Sequence, residues 1–228
     1  EDRYRFLVAF CAVALRGQVA LLPPSRAPAA IGDALAQYPD SYRLLEGPPV
    51  ALAPGDWLLP EVLPQCGGEP PQLPAQAVVA IGFTSGSTGS PKPHPKTWAA
   101  FQASTGQNLA ALLELWAGHA QANLVATVPP QHMYGMELSV LMPLLGPACV
   151  HAGRPFFPED IAAALAAMPA PRLLATTPVH LRALVESGVA LPALCGIVSA
   201  TAPLSQELAA TAEARGLAQL LAKTHQAQ

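Results

Sequence analysis

The chain has 228 residues, 51% of them hydrophobic and only 12% charged, which is ample material for a packed core. Its 12 Lys and Arg stand against 15 Asp and Glu, a net charge of -3 with no basic run, which excludes a protein that grips nucleic acid by its phosphates. The apolar run at 6–15 is too short to cross a bilayer and follows acidic as well as basic residues, so the expectation is a cytoplasmic protein with no membrane partner.

Apolar side chains recur at helical spacing over 4–16, Gly17 stops that helix, and 19–22 reads as a buried strand ending at Pro23. A helix is expected over 27–38. The stretch 41–76 is rich in Pro and Gly and predicts loops with short strands around Leu44 and Trp57. The apolar run 77–83 has strand length, a Ser- and Gly-rich loop follows at once, and a helix is expected over 97–116. Strands at 123–128, 148–151, 172–176 and 196–199 then alternate with helices at 135–145, 158–168 and 180–186. That alternation predicts an α/β fold of mainly parallel sheets flanked by helices. The segment 217–225 reads as helical. Cys11, Cys66, Cys149 and Cys195 are far apart, without a C-x-x-C pair or a His at ligand spacing, so free thiols and no metal site are expected.

The chemistry concentrates in Thr84-Ser85-Gly86-Ser87-Thr88-Gly89-Ser90-Pro91-Lys92. Gly86 and Gly89 permit positive φ and let backbone N–H groups close around an anion. Thr84, Ser85, Ser87, Thr88 and Ser90 offer hydroxyl donors, and Lys92 adds a point charge suited to phosphate. A flexible Ser/Gly linker is the plain alternative, but it would not directly follow a buried strand or end in Pro-Lys. The usual nucleotide loop needs four residues between its glycines, and here there are two.

The order Phe83 to Lys92 instead resembles the signature of the adenylate-forming superfamily, which includes acyl- and aryl-CoA synthetases and adenylation domains. Three further segments resemble that family in the same order. They are Pro129-Pro130-Gln131-His132-Met133-Tyr134-Gly135, the turn Thr176-Thr177-Pro178, and Ser199-Ala200-Thr201-Ala202-Pro203-Leu204-Ser205. The resemblance implies a fold that is the N-terminal portion of an adenylate-forming ligase, with 1–228 as one partial AMP-binding domain and the small C-terminal domain absent. It implies ATP and Mg2+ as cofactors, a carboxylic acid as substrate, and CoA or an acyl carrier protein as the thiol partner. The phosphates would lie on Thr84, Ser85, Gly86, Ser87, Thr88, Gly89 and Lys92. His132, Tyr134, Thr201 and Ala202 would line the acid pocket, with an aryl acid such as a hydroxybenzoate as the narrower expectation.

Departures from the family pattern are specific. Pro93-His94-Pro95-Lys96 replaces the usual Gly after Lys92 and predicts a stiff loop exit. Residues 199–202 lack both family glycines, which places methyl groups and the Thr201 hydroxyl where relatives are bare. The family's Tyr-Gly-x-Thr-Glu segment, ribose-binding Asp and catalytic Lys have no counterpart here, so the catalytic residue is unknown and these residues alone are expected to bind without turnover. His119, His151 and His180 have no matched partners and read as structural. A non-catalytic nucleotide- or partner-binding module of the same fold is the alternative.

Overall fold

The structure is a computed structural model that describes residues 2–47, 52–65, 67–69, 71–84, 92–116, 118–215 and 220–222. The chain divides into two compact units within what the sequence reads as one domain, Arg5–Ala99 and the combination of Glu1–Tyr4 with Ala100–Gln228.

In the first unit, α1 (Arg3–Leu15, its first residues counted with the other unit) is followed by β1 (Ala20–Leu22) and α2 (Pro28–Gln37). Then come β2 (Arg43–Leu45), β3 (Asp56–Leu58), β4 (Val78–Thr84) and β5 (Lys92–Thr97). β4 is central in a three-stranded sheet, parallel to β1 and antiparallel to β5. Ile81 and Phe83 on β4 pack against Ala34, Leu21 and Tyr38, with the Tyr38 and Phe83 rings edge to face at 6.1 Å. The stiff exit expected at 93–95 is in fact strand. Pro93 and Pro95 are tolerated because β5 is an edge, where a missing N–H can face away from the ladder.

The second unit carries α3 (Trp98–Leu112), β6 (Ala122–Ala126), and a continuous helical rod from α4 (Met133–Met136) through a π-helical stretch (Glu137–Leu141) into α5 (Met142–Leu145). β7 (Ala148–Val150), α6 (Pro158–Ala167), β8 (Arg172–Thr176), α7 (Pro178–Ser187), β9 (Gly196–Ser199), α8 (Gln206–Ala214) and β10 (Leu220–Ala222) follow. Its five strands are all parallel in the order β10-β9-β8-β6-β7. Strand side chains alternate between two buried faces. Leu124, Ala126, Leu173, Ala175 and Val198 pack with Tyr134, Leu138 and Met142. Val125, Leu174 and Ile197 pack with Ile161, Leu181 and Leu208 from α6, α7 and α8.

Three sequence readings are corrected. Residues 220–222 form a parallel strand beside β9 instead of part of a helix over 217–225. A short Leu-Leu-Ala run carries no period that separates helix from strand, and the open edge of β9 decides it. The helix α8 was missed although Ser205 caps it, its hydroxyl accepting from the Leu208 N–H at 3.2 Å. α7 also begins earlier than expected. Thr177 caps it, with its hydroxyl 3.3 Å from the His180 N–H and Pro178 in the first turn, and Gly188 ends it at φ 70°.

Candidate functional site

In the first unit the segment expected to bind phosphate lies in sequence between β4 and β5. Thr84 is the last residue of β4 and faces Lys92, the first of β5, so the antiparallel ladder holds the two loop ends together. Lys92 is exposed to solvent. Ser85, Gly86, Ser87, Thr88 and Gly89 lie outside the described residues.

In the second unit the remaining predicted residues follow the carboxyl ends of β6 and β9. Open α/β sheets bind ligands at such ends. His132 is half-buried and forms the N-terminal cap of α4; its N–H donates to the Pro129 carbonyl at 3.3 Å and its carbonyl accepts from Met136 N–H at 2.7 Å. A Cβ on Gly135 would fall on the Pro129 carbonyl oxygen, so only glycine lets α4 start this close to the preceding loop.

Tyr134 is fully packed in the core, and its hydroxyl donates to the Val198 carbonyl at 2.8 Å. Burial pushes its phenol pKa up from the usual value. The side chain therefore holds α4 to β9. Thr201 and Ala202 are exposed just beyond β9, and Thr201 stands at φ 80°. A β-branched residue is strained in that region, which glycine adopts freely.

The sequence reading missed a polar row on the opposite face. The Thr127 and Thr176 hydroxyls are 3.0 Å apart, and His180 Nδ1 lies 2.8 Å from Thr127 Oγ1. The His180 ring meets Phe156 edge to face at 5.0 Å. Burial, and then the charge of Arg154, hold its pKa below the usual histidine value, so the ring is neutral near pH 7. Ser199 completes the row in register with Thr176. The strand alternation that placed Leu174 and Ile197 on this face was the available signal, because Thr176 and Ser199 share their parity. Arg3 was missed too. A charged residue at the head of an apolar helix was its signal, and it is buried with its guanidinium on Ser139 Oγ and the carbonyls of Ala126 and Val128, each at 2.6 Å.

A family model described as "AMP-binding enzyme" matches residues 6–223. The chain belongs to the AMP-binding enzyme family. A 4-coumarate–CoA ligase from Halorhodospira halophila is 36% identical over 121 residues, which are 52% of this chain and 28% of that ligase. The AMP-binding fold recurs in the O-succinylbenzoate coenzyme A synthetase of Bacillus subtilis in complex with AMP, at TM-score 0.74 and 16% identity, over 96% of this chain and 57% of that one. It recurs in the Klebsiella oxytoca NpsA N-terminal subdomain in complex with 3-hydroxybenzoyl-AMSN, at TM-score 0.69 and 20% identity, over 96% and 56%. A malonyl-CoA ligase with methylmalonyl-CoA and AMP bound superposes at TM-score 0.70 and 22% identity, over 96% and 49%. The chain thus spans about half the length of these solved relatives. Among the described residues no helix is long and apolar enough to cross a membrane, and no three His, Cys, Asp or Glu converge as a metal site.

Proposed function

We propose that this chain is the acid- and ATP-binding part of a ligase that converts a carboxylic acid to its acyl-adenylate and passes the acyl group to the thiol of CoA or of an acyl carrier protein. The observation that carries the reading is the motif from Thr84 to Lys92, whose two ends are paired across β4 and β5 in a chain of the AMP-binding enzyme family. The donor set suits a polyphosphate: backbone N–H groups freed by Gly86 and Gly89, the hydroxyls of Thr84, Ser85, Ser87 and Thr88, and the Lys92 ammonium. In the reaction a carboxylate oxygen bonds to the α-phosphorus as the bond to the β-phosphate oxygen breaks, releasing pyrophosphate. Fixed donors then have most to offer, because negative charge shifts onto the departing pyrophosphate. Mg2+ would accompany the ATP as a charge-neutralising ion, and none of the described residues is assigned to it.

The acid would lie at the carboxyl ends of β6 and β9, between the His132 loop and residues 199–202. Tyr134 forms the floor of that space, and Thr201 and Ala202 form its rim. A flat aromatic acid is the favoured class. Thr201 and Ala202 are exposed at the opening, and the Thr201 hydroxyl offers a partner to a ring hydroxyl, whose absence in an analogue would leave it unpaired. The hydroxybenzoyl and succinylbenzoate groups of the solved relatives point to the same class.

The test is acid-dependent exchange of labelled pyrophosphate into ATP by the full natural polypeptide, with hydroxybenzoates, benzoate and medium-chain fatty acids. Hydroxybenzoates should support exchange, and Gly86→Val and Lys92→Ala should lose ATP binding. Exchange with none of the acids, or ATP binding by both variants as tight as the parent's, would sink the reading.

A further inference from the structure

We propose that Arg3 is a positioning residue that sets the loop carrying His132. The proposal rests on that loop being part of the acid site. Arg3 is about as buried as any apolar core residue, at 1% exposed, and a guanidinium is removed from water at high cost unless its donors are used. Nη2 donates to two carbonyls, Ala126 and Val128, both at 2.6 Å. These residues are two apart along the chain, so their carbonyls leave the β6 end on one side, where a planar fork can take both. Nη1 donates to Ser139 Oγ at 2.6 Å, and Ser139 in turn donates to the Gly135 carbonyl at 2.6 Å. The Arg3 backbone N–H is itself fixed on the Ala152 carbonyl at 2.8 Å.

The bonds therefore enclose the loop from both sides. Ala126 and Val128 are where the chain leaves β6, and Gly135 is in the first turn after His132. Between them the His132 carbonyl is tied to Met136 N–H. Ser139 lies in the π-helical stretch, and its bond to the carbonyl four residues back is the local back-bond a helical serine can make. Charge-assisted bonds to carbonyls are stronger and more directional than neutral ones, so the guanidinium fixes both the height and the direction from which His132 projects. An apolar side chain of equal volume would fill the space and leave the loop free to shift.

The experiment compares Arg3→Met, Arg3→Lys and Ser139→Ala in the full natural polypeptide. It reads thermal unfolding, the His132 ring resonance (assigned by its loss in His132→Gln), and KM for acid and for ATP separately. Arg3→Met should move the His132 resonance and raise KM for the acid by about tenfold while KM for ATP stays within about twofold, as expected of a misplaced binding group. Arg3→Lys keeps the charge without the fork and should recover only part of the loss. If Arg3→Met does not fold, Ser139→Ala carries the same readouts, since it cuts the link to Gly135 and leaves the charge in place. An unmoved His132 resonance in a folded variant, or both KM values rising together, would overturn the positioning role. Should no acid support exchange, the ligase reading fails by itself, and the His132 resonance alone then decides the role of Arg3.

Discussion

The Tyr134 hydroxyl donates to the backbone carbonyl of Val198 at 2.8 Å, which ties the first turn of α4 to strand β9 across two strands of the sheet. The bond is buried, and it places in the packed core an aromatic residue that reads as a pocket wall in sequence. Tyr134→Phe keeps the ring and removes the donor. It should cost about 1 kcal/mol, seen as a lower urea midpoint at unchanged m-value. Because burial raises the folded-state phenol pKa, this residue's contribution is complete below the unfolded value of about 10 and is lost as pH rises past it. The gap between the parent and Tyr134→Phe should therefore narrow in strong alkali. A gap that widens there would contradict the buried hydrogen bond.

At Gly135 no side chain fits, since a Cβ would overlap the Pro129 carbonyl, which is backbone and cannot swing away. Gly135→Ala should destabilise by about 3 kcal/mol or displace the 129–132 loop, the upper end of what overpacking costs. Denaturation together with acid-dependent exchange checks this. A variant with parent-like stability and exchange would show that α4 does not approach the loop so closely.

Thr201 is the described non-glycine residue with positive φ, at 80°. Replacing it by glycine relieves a strain of about 1–2 kcal/mol and gives part of that back through the freer unfolded chain. Thr201→Gly should thus raise stability by about 1 kcal/mol net. The same variant should lose its preference for hydroxybenzoates over benzoate. Strained residues persist where function holds them, so higher stability with lower selectivity is the joint outcome to measure. Lower stability of Thr201→Gly would mean that the hydroxyl matters more to the fold than the backbone strain.

Arg43 and Asp56 are register partners on β2 and β3, joined by two bonds of 2.6 and 2.7 Å, and Asp56 also accepts from the Ala53 N–H at 2.8 Å. The Arg43 hydrogen bond, then that from Ala53, holds the Asp56 carboxyl below its usual pKa. Its stabilising share is therefore present above the unfolded value of about 3.9 and disappears as pH falls through the lower folded value. Arg43→Gln should melt below the parent at pH 7, and the two curves should converge under acid. Curves that stay parallel down to pH 2 would remove the pair from the account of acid stability.

Most strands of the parallel sheet could be read from the chain because their signal is local. Runs such as 172–176 and 196–199 are short, apolar and bounded by turn residues. The motif at 84–92 was equally local, since its glycines, hydroxyls and lysine are contiguous and their spacing departs from other nucleotide loops, and its described ends, Thr84 and Lys92, are paired across β4 and β5. What escaped were properties that depend on a partner far along the chain. Residues 220–222 are a strand because β9 offers an edge, and the prolines of β5 are tolerated because that strand is itself an edge. Arg3 meets Ser139 across 136 positions, and His180 meets Thr127 across 53. Residue type and spacing specify which groups are able to donate or accept. Burial and hydrogen-bond satisfaction then choose among those groups, and they arise only when strands and helices close on one another. That is why Tyr134 became a support, Arg3 a buried clamp, and Thr201 the holder of a glycine's backbone.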